Sequence, residues 1–115
     1  MSPAVRVLLF HRCGNAGAIV DAYREVSETL AAVPGLLGNE LIRSVSEPDI
    51  FVVISTWRDM ATFQAWEQGM GHRDDTAPLR PYRDLSLRRP FDIFQVVDDF
   101  QAKRERADVV SDSPA

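Results

Sequence analysis

The chain has 115 residues, of which 45% are apolar and 26% are charged, and its formal net charge at pH 7 is −4. This length and composition predict one soluble domain and exclude a disordered or low-complexity chain. The acidic balance argues against a general nucleic-acid binder, and no apolar run approaches the ~20 residues that a membrane-spanning helix needs.

The first half of the chain predicts a strand, a helix and a hairpin. Val5–Cys13 is rich in Val, Leu and Phe, which favours a strand. From Ala16 to Val33 apolar residues recur every three or four positions, as on one face of a helix, until Pro34-Gly35 ends the pattern. Leu36–Ser44 and Ile50–Trp57 are then predicted to be antiparallel strands joined by a Ser-Glu-Pro-Asp loop.

The second half predicts a short helix and a fourth strand. Asp59 is placed to cap the helix. A further helical or irregular piece follows His72, and Phe91–Val97 alternates as a strand does. These elements belong to a domain of residues 1–100, and we expect the charged tail of residues 101–115 to be disordered.

The order strand, helix, strand, strand, helix, strand predicts an α+β fold of the ferredoxin-like βαββαβ type. The run Ile50-Phe51-Val52-Val53-Ile54 places apolar side chains on both faces of the third strand. Helices cover one face of such a sheet, so the other face needs a different cover. We therefore expect a homodimer in which two sheets pack together; the alternative is a generally apolar central strand.

The cysteine count and the N-terminus predict a cytoplasmic protein without a bound metal. Cys13 is the single cysteine, which excludes an internal disulfide, and no Cys/His cluster has zinc-site spacing. No basic-then-apolar export signal precedes the first strand.

Four arginines cluster in the second half of the chain. Arg80, Arg83, Arg88 and Arg89 are interleaved with acidic residues. This pattern predicts a mixed, solvated surface and not a track for phosphates.

His11 is the first candidate for chemistry. It is polar within an apolar strand and shares a face with Val5, Val7 and Leu9. A histidine in this place accepts or donates a proton near neutral pH, which suits a general base toward a phenolic substrate. The alternative is a buried histidine that is hydrogen-bonded for stability alone.

Aromatic and basic side chains supply further candidates. Trp57, Phe63 and Trp66 either wall a pocket for a planar aromatic ligand, with an indole N–H donating to a ligand oxygen, or fill the core.

His72 and Arg73 follow a glycine, where a loop would bring them to the pocket mouth or leave them as surface charge. There Arg73 would hold an anionic oxygen, and His72 would relay protons or ligate a metal centre. The polar residues added as substrate contacts are Asn39, Tyr23 and Tyr82.

Five short segments carry a resemblance to a known family. In chain order they are Pro34-Gly35-Leu36-Leu37-Gly38, Leu41-Ile42-Arg43-Ser44, Ser55-Thr56-Trp57, Phe63-Gln64-Ala65-Trp66 and Gly71-His72-Arg73. Together they resemble the antibiotic biosynthesis monooxygenase family of dimeric α+β barrels, over about Val5 to Val97. Two segments, Gly35 to Leu41 and Thr76 to Tyr82, are similar to the polyketide-tailoring branch, whose members form quinones or open angucycline rings.

The resemblance implies an oxygenase that acts with O2 on a polycyclic phenolic or aromatic polyketide intermediate in antibiotic biosynthesis. The implied reaction is hydroxylation, quinone formation or oxidative ring opening. Trp57 matches a tryptophan that quinone-forming relatives use, whereas His11 and Val53 stand where those relatives have asparagines. His11 is therefore expected to accept the proton, while His72 and Arg73 position the oxygen anion.

The resemblance also implies the cofactors and partners. No tightly bound cofactor is expected, and reduced flavin (FADH2 or FMNH2) from a flavin reductase would serve a ring-opening reaction as a diffusible cosubstrate. One alternative is a heme-degrading monooxygenase, in which Trp66, His11 and His72 would surround a bound heme. The other is a non-catalytic dimer that binds an aromatic ligand. The expected partners are a small aromatic substrate, O2 and a second copy, with no nucleic acid and no membrane.

Overall fold

A computed structural model describes residues 2–69 and 71–103. Its elements are β1 (Val5–Arg12), α1 (Ala16–Leu30), β2 (Leu36–Arg43), β3 (Ile50–Trp57), α2 (Met60–Glu67), α3 (His72–Asp75), a 3₁₀ helix (Ala77–Tyr82) and β4 (Phe91–Gln95). The ferredoxin-like α+β order predicted from the sequence is confirmed, and the strands end within two residues of their predicted ends. Residues 104–115, most of the predicted tail, lie outside the described residues.

The four strands form one antiparallel sheet in the order β2-β3-β1-β4. β1 pairs along its whole length with β3, from Val5 opposite Trp57 to Arg12 opposite Ile50. On its other side β1 pairs with β4 only as far as Leu9. Beyond that point, the Phe10 N–H donates to the Pro90 carbonyl at 2.9 Å, and the Phe10 carbonyl accepts from the Asp84 N–H at 3.0 Å.

The helix boundaries follow from capping and from proline. Asn15 Oδ1 accepts from the Ala18 N–H at 3.1 Å at the start of α1, and Asp59 Oδ1 accepts from the Thr62 N–H at 2.9 Å, which confirms the predicted cap of α2. α1 ends at Leu30 and not at Val33, because a helix through Pro34 would drive the proline ring into the Leu30 carbonyl. Among the described residues no helix is both long and apolar enough to cross a membrane.

The core lies between one face of the sheet and the helices. The odd-numbered positions of β3 are all buried, as are three of the four in β1, because alternate strand residues share a face. α1 packs Ile19 and Val26 on the β3 residues Phe51 and Val53. α2 packs Phe63 on Val5, Val7 and Trp57, so both helices cover the same face.

The opposite, outer face of the sheet is also apolar. In register, Ile42 lies beside Val52 and Val52 beside Phe10, while Ile54 lies beside Leu8. Ile42 is 45% exposed, and Phe94 of β4 is 52% exposed. None of the described helices covers this face.

Gly35 holds the turn that connects α1 to β2. Its φ of 88° lies in the left-handed region, and its carbonyl accepts from the Arg58 N–H at 2.7 Å. A Cβ at this position would overlap the Thr62 side chain at the start of α2.

We expect Gly35→Ala to lower the free energy of unfolding by about 2–4 kcal/mol, because strained backbone and steric overlap add together. Chemical denaturation measures this change. Gly14→Ala is the matched control, since no atom lies within 4 Å of its added Cβ. Equal stabilities of the two variants would contradict the role assigned to Gly35.

Candidate functional site

One cavity of about 130 Å³ lies between the inner face of the sheet and the helices. Its floor comes from β1, β2 and β3, and its walls from α1, α2, the 3₁₀ helix and the segment that follows it. A space of this size holds about one aromatic ring. One end of a planar polycycle therefore fits inside, with the remaining rings extending through the open side.

His11 lies on the cavity floor and is only 1% exposed. Its Nδ1 is 3.0 Å from the Leu9 carbonyl oxygen. Because a carbonyl only accepts, Nδ1 carries the proton and Nε2 is left as an acceptor. Burial, with a smaller contribution from the positive charge of Arg83, lowers the pKa of His11 to about 4, although the Leu9 bond and Asp84 oppose the shift. At neutral pH His11 is therefore an uncharged hydrogen-bond acceptor.

Three aromatic residues from the sequence prediction meet at the cavity. The ring centroid of Trp57 lies 5.4 Å from that of Trp66 in a stacked arrangement and 5.5 Å from that of Phe63 in an edge-on one. The Trp57 N–H donates to Ser55 Oγ at 3.0 Å, and the Trp66 N–H donates to Asp75 Oδ2 at 3.0 Å. Both indole N–H groups thus have protein partners, so these residues offer a ligand their rings.

Arg83 is a cavity residue that the sequence analysis does not identify. It stands opposite His11 in an isolated antiparallel bridge, and opposite residues in such a pair project to the same side. Both side chains line the cavity, together with Arg80 of the 3₁₀ helix. The Nε of Arg83 is buried and has no hydrogen-bond partner. Burial, followed by repulsion from Arg80, lowers the pKa of Arg83 below its usual value.

The expectation of a solvated arginine surface is therefore wrong for Arg80 and Arg83, which are half-buried, although Arg88 and Arg89 are exposed. Local charge pattern does not separate these two pairs. What separates them is a contact between distant parts of the chain. The last residues of β1 lie past the end of β4 and need other backbone partners. The segment that supplies these partners places Arg83 opposite His11.

Asp84 anchors that segment. It is 5% exposed, and Oδ1 of its carboxylate accepts from the Ser86 N–H at 3.1 Å. Its Oδ2 lies 3.5 Å from Arg12 Nε. The bonds from Ser86, with a smaller effect of Arg12, hold the pKa of Asp84 below its usual range. Both oxygens of the Asp84 carboxylate thus already have partners, Ser86 and Arg12.

The predicted polar contacts divide between two cavities. Asn39 lines the main cavity and also a shallower groove beside α1 and β2. Its Nδ2 donates to Ser27 Oγ at 3.2 Å, while its Oδ1 is a buried acceptor without a partner. Tyr23 lines the groove instead, and its hydroxyl donates to the Asn39 carbonyl at 3.1 Å. Tyr82 packs against the core under α1 and does not line the main cavity.

His72 and Arg73 open the short helix α3. Their side chains lie outside the described part of the structure, so the roles expected of them stay predictions. Among the side chains that are described, no three of His, Cys, Asp or Glu come close enough together to hold a metal ion.

The chain matches a family model and is similar in sequence to a curated protein. Residues 4–74 match the family model described as antibiotic biosynthesis monooxygenase. Protein SchA from Streptomyces halstedii is 35% identical over 80 residues, which are 68% of this chain and 21% of SchA. The chain therefore spans about a fifth of the length of that curated relative.

Among the solved structures that share the fold are two whose descriptions name an activity. SnoaB, described as a cofactor-independent oxygenase from Streptomyces nogalater, matches with a TM-score of 0.67 over 90% of this chain and 100% of its own, at 15% identity. Heme-degrading protein Rv3592 from Mycobacterium tuberculosis matches with a TM-score of 0.63 over 85% of this chain and 99% of its own, at 20% identity.

The lowered pKa of His11 predicts a loss of stability in mild acid. Below its usual pKa of 6.5 the unfolded chain protonates His11, whereas the folded chain does so only near pH 4. Neutral His11 therefore contributes to the free energy of unfolding above pH 6.5. This contribution, about 3 kcal/mol in all, is lost as the pH falls from 6.5 toward 4. Asp59 and Asp84, whose pKa values lie below the usual 3.8, contribute only at lower pH.

Urea unfolding at a series of pH values measures this effect in wild type and in His11→Gln. In the variant, the decrease in the free energy of unfolding between pH 6.5 and 4 should be smaller. His72→Gln removes the other histidine and leaves His11 in place, so it should keep the fall. Parallel curves for wild type and His11→Gln would contradict the assignment.

Proposed function

The chain belongs to the antibiotic biosynthesis monooxygenase family, and on that premise we propose that it is an oxygenase in antibiotic biosynthesis. Its substrate is a polycyclic phenolic or aromatic polyketide intermediate, which it oxidises with O2 by hydroxylation, quinone formation or oxidative ring opening. The description of SnoaB as a cofactor-independent oxygenase supports the proposal through a shared fold.

One observation carries this proposal: a single cavity combines a neutral imidazole, aromatic walls and arginine side chains. Trp66 and Phe63 offer rings to a planar substrate. His11 offers Nε2 to a phenolic hydroxyl, and the positive charge of Arg83 favours the phenolate that forms.

The chemistry begins with the phenolic proton. A phenolate passes an electron to O2 more readily than a phenol does, so polarising the O–H bond activates the substrate. With its pKa near 4, His11 is a weak base in the empty cavity. A phenolate formed beside it raises that pKa, because opposite charges stabilise each other. His72 and Arg73 remain proposed contributors at the oxygen anion.

The proposal needs no tightly bound cofactor. Quinone formation from an anthrone balances with O2 alone, because the second oxygen atom leaves as water. Hydroxylation or ring opening would draw two electrons from reduced flavin, FADH2 or FMNH2, that diffuses in from a flavin reductase. Heme degradation is the alternative activity, and the hemin titration below tests it. We place the reaction in the cytoplasm.

We also propose that the working form is a homodimer in which a second copy covers the outer sheet face. Face-to-face sheets bury alternate side chains between them, which is what the apolar row of Phe10, Val52 and Ile42 requires. Val97 and Phe100, which are 89% and 90% exposed, add apolar surface after β4.

We expect the protein to catalyse oxygen uptake with 1,8-dihydroxyanthrone as a model substrate, with formation of the quinone. His11→Gln should lower the rate by about 10²-fold or more, the usual range for the loss of a general acid–base group. An oxygen electrode and quinone absorbance measure both, with and without reduced flavin.

Arg88→Gln, an exposed change outside the cavity, is the matched control and should keep the wild-type rate. Binding of the anthrone without oxygen uptake above that of heat-denatured protein would favour a non-catalytic binding dimer. A Soret band on hemin titration, lost with reductant, would favour heme degradation.

The dimer is tested by Ile54→Asp, which places a carboxylate in the centre of the outer face. Sedimentation should show wild type at twice the mass of one chain and the variant at the mass of one chain, because the buried charge would lack a partner. Arg24→Asp, on the exposed side of α1, should remain dimeric. A monomeric wild type at micromolar concentration would refute the proposed dimer.

A further inference from the structure

The cavity contains a guanidinium group whose hydrogen-bonding capacity the protein does not satisfy. Arg83 Nε is buried and lacks a partner, although buried N–H groups in proteins are nearly always hydrogen-bonded. An Nε–H can only donate, so its missing partner is an acceptor. Because the side chain lines the cavity, a ligand there is well placed to supply that acceptor.

Asp84, the acidic neighbour of Arg83 in the chain, and Glu67, the acidic residue of the cavity lining, do not neutralise it. Asp84 follows it in the chain, but its carboxylate is engaged by Ser86 and Arg12. Glu67 lines the cavity but is exposed. Among the ion pairs between described residues, none includes Arg83.

Two further features raise the cost of this positive charge in the empty cavity. Arg80 lies close enough to repel Arg83, and its own Nη2 donates to Thr76 Oγ1 at 2.9 Å. His11, directly opposite, is kept neutral and so adds no third cation. A bound anion would relieve the repulsion and satisfy Nε at once, whereas a neutral ligand would not.

From this arrangement we infer that the cavity recognises an aromatic ligand through an anionic oxygen, carried as a carboxylate or a phenolate, which accepts from Arg83 Nε–H. The inference rests on the proposed function and narrows its substrate class. The aromatic part of the ligand lies against Trp66 and Phe63, and the anionic oxygen lies at the His11 end. Charge-assisted hydrogen bonds of this kind are the strong ones, so they select the ligand.

Calorimetry with small probes tests the anion site directly. 2-Naphthoate and 2-naphthamide have the same ring system and similar shape, but only the naphthoate carries a charge. Wild type should bind the naphthoate about 10- to 100-fold more tightly, as expected for a hydrogen bond to a charged group. Arg83→Gln should abolish this preference while leaving naphthamide binding unchanged.

Arg88→Gln is the matched control, because it removes the same charge from an exposed position in the same stretch. It should keep the preference for the naphthoate. Equal affinity of wild type for the two probes, or a preference that survives in Arg83→Gln, overturns the inference. Arg83→Lys covers the case in which Arg83→Gln fails to fold: it keeps the charge but loses the Nε–H donor, and its naphthoate preference should fall below that of wild type.

2-Naphthol distinguishes the two sources of the anionic oxygen. If bound 2-naphthol shows the naphtholate absorption band at pH 8, the site accepts a phenolate. If it shows the neutral band while the wild type still prefers 2-naphthoate to 2-naphthamide, the site takes a carboxylate. Neither experiment uses oxygen chemistry. A naphthoate preference without oxygen uptake from the anthrone would thus refute the oxygenase and keep the anion site, and the reverse pair of results would refute the anion site alone.

Discussion

The cavity depends on how the end of β1 satisfies its backbone hydrogen bonds. β1 lies inside the sheet, but β4 stops pairing with it at Leu9, and an unpaired backbone group at this depth is costly. Phe10 is completed by Pro90 and by Asp84. That second contact brings the preceding residue, Arg83, across from His11. A backbone requirement at one residue thus places a cation and a neutral imidazole side by side in the cavity.

Much of the fold follows from patterns that are local in the sequence. The Val-, Leu- and Phe-rich run of β1, the apolar run of β3 and the cap at Asp59 all predict what the structure contains, since each depends on residues within a few positions of one another. The last turn of α1 does not form because the Pro34 ring would clash with the carbonyl of Leu30.

The position of Arg83 in the cavity is not predicted, because it depends on a pairing with β1, which is far away in the chain. The shared cavity of His11, Trp57, Phe63 and Trp66 follows from the strand and helix faces, but the engagement of both indole N–H groups does not.

The charge states inside the cavity are consistent with one another. Burial keeps His11 neutral, and the nearby Arg83 reinforces this because two adjacent cations repel. The imidazole therefore presents a lone pair where the guanidinium presents a proton. A hydroxyl can donate to the first while a negatively charged oxygen accepts from the second. This pair of groups matches what the proposed phenolic substrate requires.

In β1 and β3, odd-numbered residues face the helices and the cavity, and even-numbered residues face outward. Substitutions at His11 or Ser55 and those at Phe10 or Ile54 therefore fall on separate surfaces, although they are close in the sequence. Neighbouring positions of one strand therefore give separate experimental access to the cavity and to the outer face, because a side chain on one surface does not reach the other.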